Sequence, residues 1–202
     1  MARLLSRKRL RKLPYELSLR WMKSADIIWS KGVGEFCDFA GTPAYRRDWT
    51  EATASDAFFS SHYGGAHGLV WVRLGTVARQ GRTCDLDTFA RVAVPTLEKP
   101  FILITTDGAI SVPSELKPRT VAALKAHPKL VAWYSQNADG TDAGVNPYPL
   151  GLDFHTPRDW TTAPRLIAAL KRLANTAPRA PLRPLRVFNA LGLAPTNARR
   201  EA

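Results

Sequence analysis

The chain is poor in sulfur: 202 residues hold two cysteines and two methionines. Cys37 and Cys84 lie far apart, so they fit neither a disulfide framework nor a zinc-ligand spacing. They read as buried thiols in a reducing compartment. No run approaches the roughly 18 apolar residues that a membrane span requires. The N-terminus has no apolar core of signal-peptide length, so nothing argues for secretion and the expected location is cytoplasmic. Histidine is scarce too. His62 and His67 are five apart and would fall on different helix faces, which excludes a helical metal pair. No metal-binding DxD motif is expected to operate. Asp85-Leu86-Asp87 has the letters but stands at an expected helix start, where carboxylates meet the macrodipole, and Asp85 reads as the cap. Gly32-Val33-Gly34 lacks the third glycine of a dinucleotide fingerprint. There is no repeat and no low-complexity tract.

Acidic residues are outnumbered 17 to 29, for a net charge of +12. Residues 1–24 hold eight Lys/Arg against one acidic residue, and residues 158–202 hold nine against two. The middle, 25–157, holds twelve basic and fourteen acidic residues, so the balance is +7, −2 and +7. Positive charge in nucleic-acid enzymes usually lies across the working cleft. Its placement at both ends argues against nucleic acid as a partner, although a basic nucleic-acid-binding module remains an alternative. Residues 3–23 interleave Arg3, Arg7, Lys8, Arg9, Arg11 and Lys12 with Leu4, Leu5, Leu10 and Leu13, and Pro14 breaks the pattern. One reading is contact with the headgroups of the inner membrane face. The simpler reading, a solvated basic tail followed by a packed helix, is preferred.

What the chain does contain is a series of short apolar runs that end in polar residues and glycine. Phe101-Ile102-Leu103-Ile104 is too short for a helix and rich in β-formers, and Asp107-Gly108 marks a turn after it. Leu116, Thr120, Ala123 and Leu124 recur at helical spacing, and Lys129 to Trp133 resumes a strand. A strand, a helix of about a dozen residues and a second strand make a βαβ unit. The alternative is a hairpin interrupted by a helix. The expected fold class is α/β, a Rossmann-like parallel sheet flanked by helices, with working groups at the strands' C-terminal ends. Ala25 to Ser30 reads as a first strand followed by a loop at Lys31–Gly34. Gly68 to Arg73 reads as another strand, Leu86 to Leu97 as a helix, and Asp48–Ala54 and Ser55–Phe59 as helical turns among aromatics. Pro164 to Asn175 reads as a helix, Thr176 to Pro184 as a linker, and Leu185 to Ala190 as a short strand. The expected organisation is a basic segment 1–24, a Rossmann-like domain 25–176, and residues 177–202 as linker and the start of a further domain.

Three motifs in order carry a resemblance. Pro100 to Thr105 leads to an Asp. Trp133-Tyr134-Ser135-Gln136-Asn137 follows, then Pro147-Tyr148-Pro149-Leu150-Gly151-Leu152-Asp153. Together they resemble a family of bacterial and eukaryotic glycosyltransferases similar to exostosin-type enzymes, which have two Rossmann-like domains in a GT-B arrangement. The resemblance covers about 90 residues, 69–157. Leu185 to Arg200 is similar to the segment that begins the family's second domain. The resemblance therefore implies the N-terminal half of such a protein, with a nucleotide-sugar as donor substrate, a sugar acceptor as partner, and no permanently bound cofactor. A catalytically idle remnant is the further alternative.

Glycosyl transfer needs a base or positioning group for the acceptor hydroxyl and positive or dipolar groups for the departing diphosphate. Asp107, at a strand end between Thr106 and Gly108, is the candidate catalytic carboxylate. Its simpler role is an Asx-turn onto its own backbone. Gln136 and Asn137 end the next strand and offer paired donors and acceptors for sugar hydroxyls, or else satisfy loop backbone. Pro149 and Gly151 shape the third loop and let a ligand approach the main chain, and Asp153 and His155 follow. Thr106, Gly108, Gln136, Asn137, Pro149, Gly151 and Asp153 are the candidate substrate-binding set.

Overall fold

A computed structural model describes residues 13–14, 17–18, 29–47, 52–75, 84–151 and 161–176. Four strands, β1 (Gly68–Gly75), β2 (Phe101–Gly108), β3 (Leu130–Ser135) and β4 (Val145–Pro147), form one sheet in the order β1-β2-β3-β4. Every pairing is parallel, which excludes the interrupted-hairpin alternative. Helices are α1 (Pro43–Arg47), α2 (Asp56–Tyr63), α3 (Asp85–Val92), α4 (Pro118–Lys125) and α5 (Ala163–Thr176). The fold is therefore α/β, a Rossmann-like parallel sheet flanked by helices. The chain divides into two compact units, Met1–Arg165 and Leu166–Ala202, and the division falls within α5.

β1 and β2 read as continuous apolar runs because each has neighbours on both faces. Val70, Trp71, Val72 and Leu74 are fully buried, as are Leu103 and Trp133. They join Leu86 and Phe89 of α3 and Leu124 of α4 in one core cluster. α3 packs against β1, α2 and α4. The outer edge of β1 is covered as well. Phe39 N–H donates to Leu69 O (3.1 Å) and Trp71 N–H donates to Phe39 O (2.8 Å). That pairing removes a row of otherwise unpaired backbone groups.

Several boundaries depart from expectation: the helix expected over 86–97 ends at Val92, and a separate 3₁₀ turn, Val94–Thr96, follows it. α4 is eight residues rather than a dozen, because Pro118 sets its first position and the chain must return at Pro128 to start β3. Opposite Phe101–Ile102 the register of β3 shifts by one, and Val131 is the extra residue. A bulge turns the additional side chain out of the ladder, which accounts for Val131 being 65% exposed. The expected strand at 25–30 is described only at Trp29 and Ser30. Trp29 forms an isolated antiparallel bridge with Gly151 rather than a ladder, and the expected loop at Lys31–Gly34 is a turn running into a 3₁₀ helix, Gly32–Glu35. The expected helical turn at 48–54 lies mostly outside the described residues. The strand at 185–190 and the linker before it also lie outside them.

At the C-terminal ends of β1 and β2 the backbones meet closely. A Cβ on Gly108 would stand 2.4 Å from Gly75 O and 2.5 Å from Leu74 Cβ. Neither obstacle is a flexible side-chain tip, so the strands would have to separate. Gly108→Ala should cost about 2 kcal/mol by overpacking. A urea midpoint unchanged from wild type would show that the strand ends can part freely.

Candidate functional site

The site assembles around two consecutive threonines. Thr105 and Thr106 of β2 point to opposite faces of the sheet. Thr105 Oγ1 accepts the indole N–H of Trp133 (3.0 Å) and Thr106 Oγ1 accepts that of Trp71 (2.8 Å). Thr106 also donates its hydroxyl to Ser30 O. This bond fixes a strap, residues 29–39, across the sheet. Trp29 bridges Gly151 beyond β4, Ser30 meets Thr106, Gly34 lies against the Trp71 ring, and Phe39 pairs outside β1. Gly34 has no room for a Cβ without pressing on Trp71 at 3.1 Å. The second glycine of the incomplete fingerprint thus serves close packing, not a phosphate.

The strap carries Lys31 to the end of β2. Its Nζ donates to Asp107 Oδ2 at 2.6 Å, and the two side chains are 5% and 14% exposed. Asp107 has φ +58, the left-handed region that a non-glycine residue adopts at a cost. Its backbone N–H donates to Gln136 Oε1 (3.0 Å). The carboxylate is therefore engaged by a lysine 76 positions away. Asn137 turns inward: its Nδ2 donates to Gly108 O (2.8 Å) and Ile110 O (3.2 Å). The Asn137 amide satisfies loop backbone, the plainer of its two expected roles. Gln136 does so with its oxygen only, and it remains half-buried at the rim.

Asp107, Gln136 and Asn137 are thus brought together on adjacent strand ends. Thr106 is fully buried and acts through Trp71 and the strap, which places it behind the rim rather than on it. Gly108 is consumed by the close approach to Gly75. Pro149 is exposed on the loop after β4. Gly151, also exposed and at φ +72, joins the group through the Trp29 bridge. Asp153 and His155 lie outside the described residues.

The N-terminus of α3 corrects another expectation. Cys84, not Asp85, is the N-cap residue, and the capping carboxylate is Asp87, which accepts from Cys84 N–H (3.2 Å). Asp85 instead turns away from its helix into a buried network. It accepts from Arg73 Nε (2.6 Å), Tyr45 OH (3.1 Å) and Ala54 N–H (2.7 Å). Arg73 also donates to Ala52 O (2.9 Å). One carboxylate ties β1, α1, α3 and the stretch before α2 together. The only sequence signal for it is an arginine at the polar end of an otherwise apolar strand run.

Neither thiol is built for reaction. Burial pushes Cys37 up to about 12, with the neighbouring Asp38 charge adding to the effect. Burial does the same to Cys84, up to about 12, with Asp87 contributing. Burial also raises the phenols of Tyr45 and Tyr63 well above the ordinary range. No group of three or more potential metal ligands occurs among the described residues. No helix among them is long and apolar enough to cross a membrane. No family model, no curated protein and no solved structure matches this chain.

Two outcomes follow from these environments. Asp85→Asn should lower stability by about 3–5 kcal/mol, because it leaves Arg73 charged and buried without its counter-ion. Loss of less than about 1 kcal/mol by urea denaturation would show the network to be peripheral. All four raised groups favour their protonated, neutral forms in the folded state. Their contribution is therefore complete below the unfolded-state values and is lost as pH rises from about 9 towards 12. The urea midpoint should be lower at about pH 10.5 than at about pH 8, and an unchanged midpoint would contradict the assignment.

Proposed function

We propose that this Rossmann-like domain is the sugar-binding half of a glycosyltransferase-like protein, taking a sugar acceptor or a nucleotide-sugar at the rim formed by β2, β3 and the loop after β4. One observation carries the reading. A carboxylate and an amide, from Asp107 and Gln136, stand at neighbouring ends of parallel strands: the Gln136 amide oxygen accepts the Asp107 backbone N–H at 3.0 Å, and the Asp107 carboxylate accepts from Lys31 Nζ at 2.6 Å. Hydroxyl-rich ligands need donors and acceptors side by side. The Asp-ending strand and the WYSQN motif, whose order resembles the glycosyltransferase pattern, supply Asp107 and Gln136 from adjacent parallel strands.

In this reading Asp107 orients an acceptor hydroxyl and is the candidate base. Lys31 holds the carboxylate in place and supplies the cation nearest to a departing phosphate. The N-terminus of α3 is unsuited to that phosphate, since Asp85 and Asp87 already stand there. The diphosphate is assigned to Lys31 or to a further domain. Charge placement favours this reading over a nucleic-acid-binding module, because the sheet-bearing middle of the chain is slightly acidic.

Calorimetry of the full chain against a panel of nucleotide-sugars and oligosaccharides tests it. At least one should bind, and Asp107→Asn and Gln136→Ala should each weaken it about tenfold, or about 1.4 kcal/mol, with far-UV circular dichroism unchanged. No heat from any donor or glycan would leave a folded, catalytically idle domain as the better account.

A further inference from the structure

Away from the rim, α3 and α4 diverge around a half-open cavity of about 290 Å³. Its lining is Asp87, Ala90 and Arg91 from α3 and Arg119, Thr120 and Ala123 from α4. The two alanines leave the hollow open, since a side chain the size of leucine at either position would fill it. The polar groups at its base are already settled. Asp87 is 5% exposed and Thr120 is 3% exposed. The carboxylate accepts from Thr120 Oγ1 (2.6 Å), from Cys84 N–H (3.2 Å) and from Lys117 Nζ (3.1 Å). Its charge is thus compensated before any ligand arrives.

The walls differ. Arg91 makes a two-pronged, exposed pair with Asp56 at 2.7 and 2.5 Å, which occupies both terminal nitrogens of its guanidinium. Arg119 has no ion-pair or hydrogen-bond partner among the described residues. Lys117 balances Asp87 and Arg91 balances Asp56, so Arg119, an exposed residue of the lining, is the one cation of the hollow without a partner among the described residues. Guanidinium forks match phosphate oxygens in geometry and charge. The volume lies at the lower limit of small-molecule sites, about 300 Å³. That excludes a dinucleotide and suits a phosphorylated monosaccharide.

We propose that the cleft between α3 and α4 is a binding site for a small phosphate monoester, gripped by Arg119 over the Ala90–Ala123 floor, with the Asp56-paired Arg91 forming the opposite wall. It is separate from the rim and does not rest on the glycosyltransferase reading. A recessed cleft of this size favours a soluble phosphate over a lipid headgroup held in a bilayer.

Phosphorus-31 NMR titration of the full chain with inorganic phosphate and with glucose 1-phosphate tests the site. Both should bind, the sugar phosphate more tightly because it also fills the hollow. Arg119→Ala should weaken both by about fivefold or more, in line with loss of one charge-assisted contact. Ala123→Leu should remove the preference for the sugar phosphate by filling the cavity, while Ala123→Ser retains it. Asp107→Asn should leave these affinities unchanged, which separates this site from the rim. Equal binding by wild type, Arg119→Ala and Ala123→Leu would overturn the proposal and assign phosphate binding to the basic ends of the chain. Absence of binding by both probes would overturn it outright.

Discussion

Two indole N–H groups buried in a parallel sheet constrain this molecule more than any other feature. Trp71 on β1 and Trp133 on β3 are fully enclosed, and an indole donor left unpaired in such a place is costly. The chain satisfies both from the strand between them, with adjacent threonines facing opposite ways. The arrangement works only if all three strands hold their register, because a slip of one residue would swap the faces. It also explains why β2 breaks its apolar run at Thr105 and Thr106, two residues before its end. The hydroxyl at Thr106 then passes the constraint on to Ser30 and so to the strap.

The strap turns a packing requirement into a site. Lys31 is almost fully buried, and a buried ammonium is tolerable only with an anion in contact. Asp107 supplies it, from a backbone conformation that a non-glycine residue takes up only when its surroundings over-determine it. Three neighbours do so. Lys31 holds the side chain, Gln136 holds the N–H, and the Gly75–Gly108 contact holds the next peptide. Asp107 therefore presents in a fixed direction, the condition for a group that orients a ligand rather than merely meeting one.

Much of this was legible in the sequence, and for one reason. Strands buried on both faces are continuous apolar runs, so β1, β2 and β3 stand out from their surroundings, and the periodicity of Leu166, Ile167, Leu170 and Leu173 marks α5 equally well. The polar ends of β2 and β3 marked Asp107, Gln136 and Asn137, and parallel pairing brings them together. What the sequence hides is which way each polar group turns. Asn137 and Gln136 are both amides at a strand end, yet Asn137 donates to carbonyls of the loop after β2 while Gln136 accepts from the Asp107 N–H. Asp85 and Asp87 both stand in the first turn of the same helix, yet only Asp87 caps it. Lys31 and Arg73 find partners 76 and 12 residues away, and nothing in local propensity encodes a separation in sequence.

Asp85 also bears on where a ligand can lie. In Rossmann-like sheets the first strand–helix turn commonly offers bare N–H groups to a phosphate. Here the helix after β1 brings two carboxylates of its own. One caps the helix, and the other is drawn back to Arg73, Tyr45 and Ala54. An incoming phosphate would have to displace these carboxylates, and clearing Asp85 would strand a buried guanidinium. In the proposed function, ligand binding is thereby displaced sideways, towards the ends of β2 and β3, where Lys31 is paired with Asp107. The same carboxylate that makes β1 rigid decides that the usual phosphate position of the fold is closed.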